Sequence, residues 1–154
     1  MRATEKDAEM LASLVKIVWP EYTEEALTRI LREYMSSDES AVFTEKRDAE
    51  YIGAALCCLR HDYVEGCETS PVGYLECVSV KESYRKQGVA KRLVEECEQW
   101  AGEKGCREFA SDCELSNTAS LTFIYRWVFR SRTGSSASKR ICRPSMTASL
   151  FHAL

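Results

Sequence analysis

Apolar residues recur every three or four positions in three segments of the chain, the spacing that places them on one face of a helix. The first segment, Ala8–Trp19, stops at Pro20, which cannot continue a helix. The second begins after Thr23, a favourable N-cap residue that two glutamates follow. The third runs from about Val89 to Glu103 and is closed by Gly105, a common residue just past a helix end. The pattern predicts three helices.

Four further segments have the length and apolar content of β strands. The clearest is Val72–Val80, whose odd and even positions would lie on opposite faces of a sheet. The others are Ser40–Lys46, Tyr51–Leu59 and Arg107–Ser111. The resulting order of two helices, three strands, a polar loop, a helix and a strand is typical of a mixed α/β domain.

Composition narrows the class of protein. With 154 residues, 45% hydrophobic and 29% charged, the chain can bury one core without disulfides or metals. It has no apolar run of membrane-spanning length, and no apolar stretch follows Met1, so we expect neither a membrane span nor a signal peptide and predict a cytoplasmic protein. The net charge of −3 argues weakly against binding to nucleic acid.

The eight cysteines have no metal-site spacing. No two of them form a Cys-x-x-Cys pair and the chain has only two histidines, so we expect no metal. Several stand in apolar stretches, as in Leu56–Leu59, where a thiol behaves as a small buried hydrophobic group. Structural thiols are therefore the favoured interpretation, with a disulfide or cysteine-based metal module as the weaker alternative.

The segment between the clearest strand and the third helix has the features of a phosphate-binding turn. Arg85-Lys86-Gln87-Gly88-Val89-Ala90 enters a helix N-terminus, where backbone N–H groups are unpaired and the helix dipole is positive. Gly88 and Ala90 lack bulk, so a pyrophosphate can approach the backbone, and Arg85 and Lys86 add positive charge. A generic strand-to-helix turn is the alternative on these grounds.

This turn also carries a family resemblance. Arg-x-x-Gly-x-Ala after a strand resembles the acetyl-CoA-binding signature of the GNAT superfamily of N-acetyltransferases. Residues 60–76, and residues 105–112 followed by Asn117, resemble the corresponding segments of aminoglycoside 6′-N-acetyltransferases. The resemblance extends from about residue 2 to Phe123, and Arg2–Thr4 stand where the first strand of the family would end.

The resemblance implies a fold and an activity. The fold would be α/β (α+β), with a mixed, mostly antiparallel central sheet flanked by helices. The activity would be transfer of acetyl from acetyl-CoA to the 6′-amino group of an aminoglycoside, which confers resistance. Dimers are common in the family, so a homodimer is among the expected assemblies. A GNAT enzyme acting on another amine, such as a peptide N-terminus or a polyamine, is the alternative.

The resemblance also assigns site residues. It implies that the strand residues Val78, Ser79 and Val80 pair with the pantetheine arm of acetyl-CoA. Cofactor contacts are further implied for the pyrophosphate turn and one polar residue beyond it: Arg85, Lys86, Gln87, Gly88, Val89, Ala90, Lys91 and Asn117. An aminoglycoside pocket would be lined by Trp19, Tyr22, Tyr63, Glu76 and Asp112.

The residue types suit amine acetylation. A protonated amine must lose a proton before it attacks the thioester, and Glu76 could accept that proton, while a backbone N–H near Val78 could hold the oxyanion. Asp112 and the acidic loop residues Asp62, Glu65 and Glu68 could pair with substrate ammonium groups.

Each of these residues also has a structural interpretation. Glu76 could face solvent on an uncovered sheet face, Asp112 could cap a helix, the loop acids could be solvated, and Trp19 could belong to the core.

After Phe123 the family pattern stops. Residues 130–140 are polar and basic without apolar periodicity, which predicts a loop or disorder. If each codon from Ile124 onward is read one base earlier, with the last base of the preceding codon in front, the codons can encode the family's missing His-x-Ser-Leu-Gly-Phe motif. Val128 must then be read as Gly, because the single Trp codon at Trp127 ends in G. We therefore expect an acetyltransferase domain at 1–123, an aberrant tail at 124–154, and the loss of two C-terminal strands. A damaged, non-catalytic remnant is a further alternative.

Overall fold

The computed structural model describes residues 1–114 and 139–145, of which residues 113, 114 and 139–145 are described by their backbone alone. The described residues form three α helices, α1 (Ala8–Val15), α2 (Glu24–Ser36) and α3 (Val89–Glu103). They also form five strands of one sheet: β1 (Ser40–Arg47), β2 (Glu50–Arg60), β3 (Val72–Val80), β4 (Glu108–Glu114) and β5 (Lys139–Ser145). Short 3₁₀ helices at Glu5–Asp7 and Glu82–Tyr84 precede α1 and follow β3.

The helix termini follow the local sequence. The Thr23 hydroxyl accepts a hydrogen bond from the N–H of Ala26 at 3.2 Å, so the predicted N-cap of α2 is confirmed. Helix α3 has the predicted bounds. Helix α1 ends at Val15 rather than at Trp19, because the chain tightens there: the Ile17 N–H donates to Leu14, three residues back, ahead of Pro20.

The sheet has the order β1-β2-β3-β4-β5 and confirms the expected mixed architecture. Strands β1 to β3 pair antiparallel and account for most of the paired residues, whereas β3–β4 and β4–β5 are parallel. Helix α3 covers one face through Leu93, Val94 and Trp100, which belong to the apolar layer that α3 shares with the sheet. Helices α1 and α2 cover the other face. The core therefore consists of two apolar layers, one on each side of the sheet.

Two irregularities of β3 shape the molecule. First, Leu56 of β2 pairs with Cys77 and Cys57 pairs with Leu75, so Glu76 is an extra residue in a β-bulge. The bulge puts Cys77 against α1 and α2, although simple alternation placed it on the same face as Leu75, which packs on the α3 side.

Second, β3 and β4 pair only over Gly73–Leu75 and Phe109–Ser111 and then separate. The last shared contact is the hydrogen bond from the Ser111 hydroxyl to the Leu75 carbonyl, at 3.1 Å. Beyond it β4 continues beside β5, while Cys77–Val80 continue beside β2. Within the described residues, a wedge-shaped opening therefore separates the backbones of the two strands.

The C-terminal part of the chain differs from the sequence prediction. Residues 130–140 were expected to form a loop and the C-terminal strands to be lost, but Lys139–Ser145 form β5 along the whole of β4. The correction has a physical reason: the open edge of β4 offers backbone hydrogen-bonding groups, and main-chain pairing places few demands on sequence pattern.

At the N-terminus, Arg2 makes an isolated antiparallel bridge to Phe43, and the Ala3 N–H donates to Val42 at 2.8 Å. This contact occupies the place where the resemblance put the end of a first strand. In the part of the chain that the structure describes, none of the helices has an apolar stretch long enough to cross a membrane.

Candidate active site

The opening between β3 and β4 is lined on one side by the backbone of β3. Val78 and Val80 turn their side chains toward the α3 layer of the core, and Ser79 is fixed on the other face by a hydrogen bond from its hydroxyl to the Leu14 carbonyl at 2.5 Å. Among the described strands, these residues pair with β2 alone. The edge of β3 that faces the opening therefore presents main-chain groups to a ligand.

The turn into α3 lies at the end of this edge. Gly88 is the N-cap of α3 with φ +80°, and Lys86 also has a positive φ, of 60°. Among the described residues, no side chain caps the helix, and its first turn holds no acidic residue. Helix geometry therefore leaves the N–H groups of Val89, Ala90 and Lys91 without partners inside the helix. The predicted phosphate turn is thus an uncapped, exposed helix N-terminus.

Several cations surround the turn, and they differ in whether a neighbouring side chain neutralises or binds them. Arg92 makes a two-pronged ion pair with Glu45, at 2.7 and 3.0 Å, which neutralises it. Arg47 donates a hydrogen bond to the Gln87 side chain at 3.0 Å, so this side chain is held against the β1–β2 hairpin. Only the backbone of Gln87 then lines the turn. Lys86 is exposed and contributes positive charge at the turn.

Glu76 lies in the bulge on the face of β3 opposite α3. Its side chain is only 11% exposed, so the alternative of a solvent-facing carboxylate is wrong. Oε1 accepts hydrogen bonds from Arg60 Nη2 at 2.7 Å and from Cys58 Sγ at 3.1 Å. Arg60 in turn lies over the ring of Tyr74, with its guanidinium carbon 3.3 Å from the ring centroid.

Two tyrosines lie near Glu76, Tyr74 buried and Tyr34 partly buried. Burial and the charge of Glu76 raise the pKa of Tyr34, which comes from α2. Burial and the Asp112 carboxylate raise the pKa of Tyr74. Asp112 lies inside β4, which continues to Glu114, so the alternative of a helix cap is wrong. Glu76 thus lies near Tyr34 of α2, Cys58 of β2 and Tyr74 of β3, and Asp112 of β4 lies near Tyr74.

The predicted aromatic residues lie in two places. Trp19 and Tyr22 follow α1, with ring centroids 6.3 Å apart, and both pack partly buried against the α1–α2 layer of the core. Tyr63 lies on the loop between β2 and β3 and is 82% exposed. Asn117 is outside the described residues. The structure thus brings Glu76 and Asp112 near Tyr74 and leaves Tyr63 on the surface.

A buried glutamate holds the acidic loop in place. Glu108 of β4 is 3% exposed, and its Oε2 accepts hydrogen bonds from the N–H of Glu68, the N–H of Thr69 and the Thr69 hydroxyl, at 2.7–2.8 Å. Sequence analysis missed this residue, as it missed Arg60, Cys58, Tyr34 and Tyr74. The available signal was weak: Glu108 is the first residue of a strand and is followed by the apolar pair Phe109 and Ala110, a position where a charge that becomes buried needs partners.

The comparisons with known proteins agree with this geometry. The family model "Acetyltransferase (GNAT) family" matches residues 9–127. The chain belongs to the GNAT acetyltransferase family. The match of this GNAT chain ends four residues past Phe123, close to where the sequence departs from the family pattern.

Individual relatives have more specific names. An aminoglycoside N(6′)-acetyltransferase type 1 of Salmonella typhimurium is 42% identical over 107 residues, 70% of this GNAT chain and 74% of the relative. One of Stenotrophomonas maltophilia is 39% identical over 119 residues, 75% of each chain.

Solved structures show the same fold. That of AAC(6′)-Iy with the bisubstrate analogue CoA-S-monomethyl-acetylneamine has a TM-score of 0.76 and 33% identity, covering 94% of this chain and 95% of that one. The apo AAC(6′)-Ig of Acinetobacter haemolyticus also has a TM-score of 0.76, at 28% identity, and covers 94% and 96%.

Proposed function

We propose that this GNAT chain transfers the acetyl group of acetyl-CoA to the 6′-amine of aminoglycoside antibiotics and so gives resistance. The observation that carries the proposal is the placement of a buried carboxylate, Glu76, at the bulge where β3 leaves β4, on the strand that leads to the uncapped N-terminus of α3. The names of these relatives, both aminoglycoside N(6′)-acetyltransferases, support the choice of amine.

The residues of the opening suit acetyl-CoA. The edge of Val78–Val80 that does not pair with β2 matches the amides of the pantetheine arm, which need main-chain partners. Its Val80 carbonyl accepts a hydrogen bond from Arg85 Nε at 3.2 Å, which a bound cofactor would have to replace. The turn at Arg85–Lys91 matches the pyrophosphate, because Gly88 has no Cβ to block the approach and the first N–H groups of α3 are unpaired. When bound, acetyl-CoA would supply the activated thioester carbonyl that accepts the amine.

Glu76 is the group that would take the proton from the substrate ammonium, directly or through one water molecule. The deprotonated nitrogen would then attack the carbonyl carbon and form the new amide bond as the carbon–sulfur bond breaks. CoA would leave as a thiolate and take up the second proton that the nitrogen loses, giving free CoA thiol. A backbone N–H near Val78 would stabilise the negative charge on the carbonyl oxygen in between.

The acidic residues around the opening would select a polycationic substrate. Asp112 lies beside Tyr74, and Asp62, Glu65 and Glu68 belong to the loop that Glu108 anchors. Carboxylates at several places can pair with several ammonium groups at once, which a substrate with a single amine cannot exploit. Trp19, Tyr22 and Tyr63 would supply apolar walls for the sugar rings.

The remaining parts of the proposal concern the whole chain. Residues 1–123 would carry the family sequence of the acetyltransferase domain, and residues 124–154 would be a tail whose sequence departs from the family but which contributes β5 to the sheet. The location would be cytoplasmic, where acetyl-CoA is available. A homodimer is the proposed assembly.

The deciding experiment is acetyl-CoA-dependent thiol release with kanamycin or tobramycin, beside spermidine and a short peptide with a free N-terminus. We expect turnover with the aminoglycosides and loss of at least about a hundredfold in kcat for Glu76→Gln. Activity only with spermidine or the peptide would reject the aminoglycoside assignment.

A frame-restored version of the tail serves as the reference. If it alone is active, the function belongs to the gene and this chain is its damaged product. If neither version turns over an aminoglycoside, the proposed substrate is wrong.

A further inference from the structure

Arg60 is the residue that most directly contacts the proposed proton acceptor, and neither the motif nor the resemblance assigned it a role. It ends β2, and its Nη2 lies 2.7 Å from Glu76 Oε1. The side chains of Arg60 and Glu76 are 19% and 11% exposed, so water screens the pair little.

The guanidinium is itself held in place. It lies on the face of Tyr74, 3.3 Å from the ring centroid, and Tyr74 pairs with Cys58 across the two strands. A planar cation on an aromatic face keeps one orientation, which a lysine ammonium would not. The geometry of Arg60 is thus set by β3 before any substrate binds.

The hydrogen bonds to Glu76 are asymmetric. Arg60 and Cys58 both donate to Oε1, and within the described residues Oε2 accepts no hydrogen bond. When hydrogen bonds fix one oxygen of a carboxylate, here Oε1, the lone pairs of the second oxygen, Oε2, point in a defined direction. Because Glu76 sits in a bulge, its side-chain direction is not fixed by regular alternation with its strand neighbours, and a side-chain contact is needed to set it.

We propose that Arg60 is a positioning residue for Glu76, fixing Oε1 so that Oε2 is the oxygen that receives the proton of the substrate amine. This inference rests on the proposed function, since it assumes that Glu76 accepts a proton. It predicts that Arg60 affects the chemical step through Glu76 and has little effect on the binding of acetyl-CoA.

The first test is steady-state kinetics with kanamycin on Arg60→Met and Arg60→Lys. We expect Arg60→Met to lower kcat by about tenfold to a hundredfold with the KM for acetyl-CoA unchanged, because a misdirected base costs rate more than affinity. Arg60→Lys should recover part of the loss, since it keeps the charge without the planar contact. Arg32→Met removes a similar but exposed pair, Arg32 to Glu9 at 2.9 Å, and should leave the kinetics unchanged.

The second test repeats Arg60→Met in a Glu76→Gln background. If Arg60 acts through Glu76, the second substitution causes no further loss of kcat. An equal fold-loss in both backgrounds would show that Arg60 acts by supporting the fold and would overturn the proposal. A lower KM for kanamycin with unchanged kcat would also overturn it, because Arg60 would then compete with the substrate for the carboxylate.

A third measurement separates this inference from the proposed function. If the wild-type chain turns over no aminoglycoside, the proposed function fails. The contact between Arg60 and Glu76 is then tested by urea unfolding of the wild type, Arg60→Met, Glu76→Gln and the double variant. If the shifts of the urea midpoint are not additive, Arg60 and Glu76 interact and Arg60 remains the residue that holds Glu76. Additive shifts would reject that role for Arg60.

Discussion

Helix α3 packs closely against the sheet at Gly73. A Cβ at this position would lie 2.5 Å from the Cβ of Ala101 and 2.6 Å from Cδ2 of Phe109, both of which are buried. We expect Gly73→Ala to lower the free energy of unfolding by about 1–3 kcal/mol, because neither neighbour can move without disturbing the core. Urea denaturation measures the change.

Gly102 provides the matched control for Gly73→Ala. It lies on α3, and a methyl group added to it would meet no atom within 4 Å, so Gly102→Ala should stabilise the protein by up to about 1 kcal/mol through helix propensity. Equal effects of the two substitutions would contradict the close approach at Gly73.

Asp7 contributes stability that depends on pH. Hydrogen bonds from the Tyr51 hydroxyl and then from the Thr4 N–H lower the pKa of Asp7 from 3.8 to about 2. The folded pKa is below the unfolded one, so the stabilisation is complete above about pH 4 and is lost as the pH falls toward 2. Asp7→Asn should therefore cost about 1 kcal/mol at pH 7 and progressively less below pH 4.

The measurement for Asp7 is urea unfolding of the wild type and Asp7→Asn at several values between about pH 7 and pH 3, the range in which the carboxylate loses its advantage. A difference between the two proteins that stays constant across this range would show that the carboxylate charge has no part in the stabilisation.

Among the secondary-structure elements, those with a strong local signal were predicted well and the irregular ones were not. Thr23 and Gly105 mark helix ends because capping depends on a few neighbouring residues. The bulge at Glu76 was missed because it is defined by what stands opposite on β2, which the alternation of β3 alone does not contain. Arg60 was missed for the same reason, since strand pairing brings it to Glu76.

The turn into α3 carries a prediction about acetyl-CoA. Gly88 has φ +80°, a conformation that strains alanine, so Gly88→Ala should distort the turn and raise the KM for acetyl-CoA by about five- to tenfold. Gly105→Ala is the control: it introduces similar strain, at φ +90°, beyond the other end of α3. The KM for acetyl-CoA is measured for both variants by titration with acetyl-CoA. An equal rise in KM in both would show general destabilisation and not a specific effect on the turn.

For the whole molecule, the periodicity of the sequence predicted the order of the elements up to β4, and the turn into α3 with its flanking segments predicted the family. Neither the periodicity nor the family resemblance predicted strand β5. Its backbone pairs with β4 over Glu108–Glu114, so it is defined by a partner distant in sequence. The resemblance implied that Val78–Val80 pair with the pantetheine arm, but the wedge-shaped opening could not be derived from periodicity, because it depends on where two strands stop pairing.

Removal of β5 tests what this pairing contributes. A chain that ends at residue 138 would leave the edge of β4 without its described partner, so we expect a melting temperature lower by several degrees and a greater tendency to aggregate. A chain that ends at Ser145 keeps β5 and should melt like the full chain. Identical melting of all three chains would show that β5 adds no stability.

The short junction between β3 and β4 has a consequence for the order of folding. Strands β1 to β3 pair with near neighbours in the sequence and can close early, whereas β3 meets β4 only after α3 has crossed over the sheet. Non-local parallel pairing is slow because loop-closure entropy is lost before contacts compensate for it. We therefore expect the junction of β3 and β4 to form after β1–β3 have paired, so a chain folded only as far as β3 would have no place for acetyl-CoA.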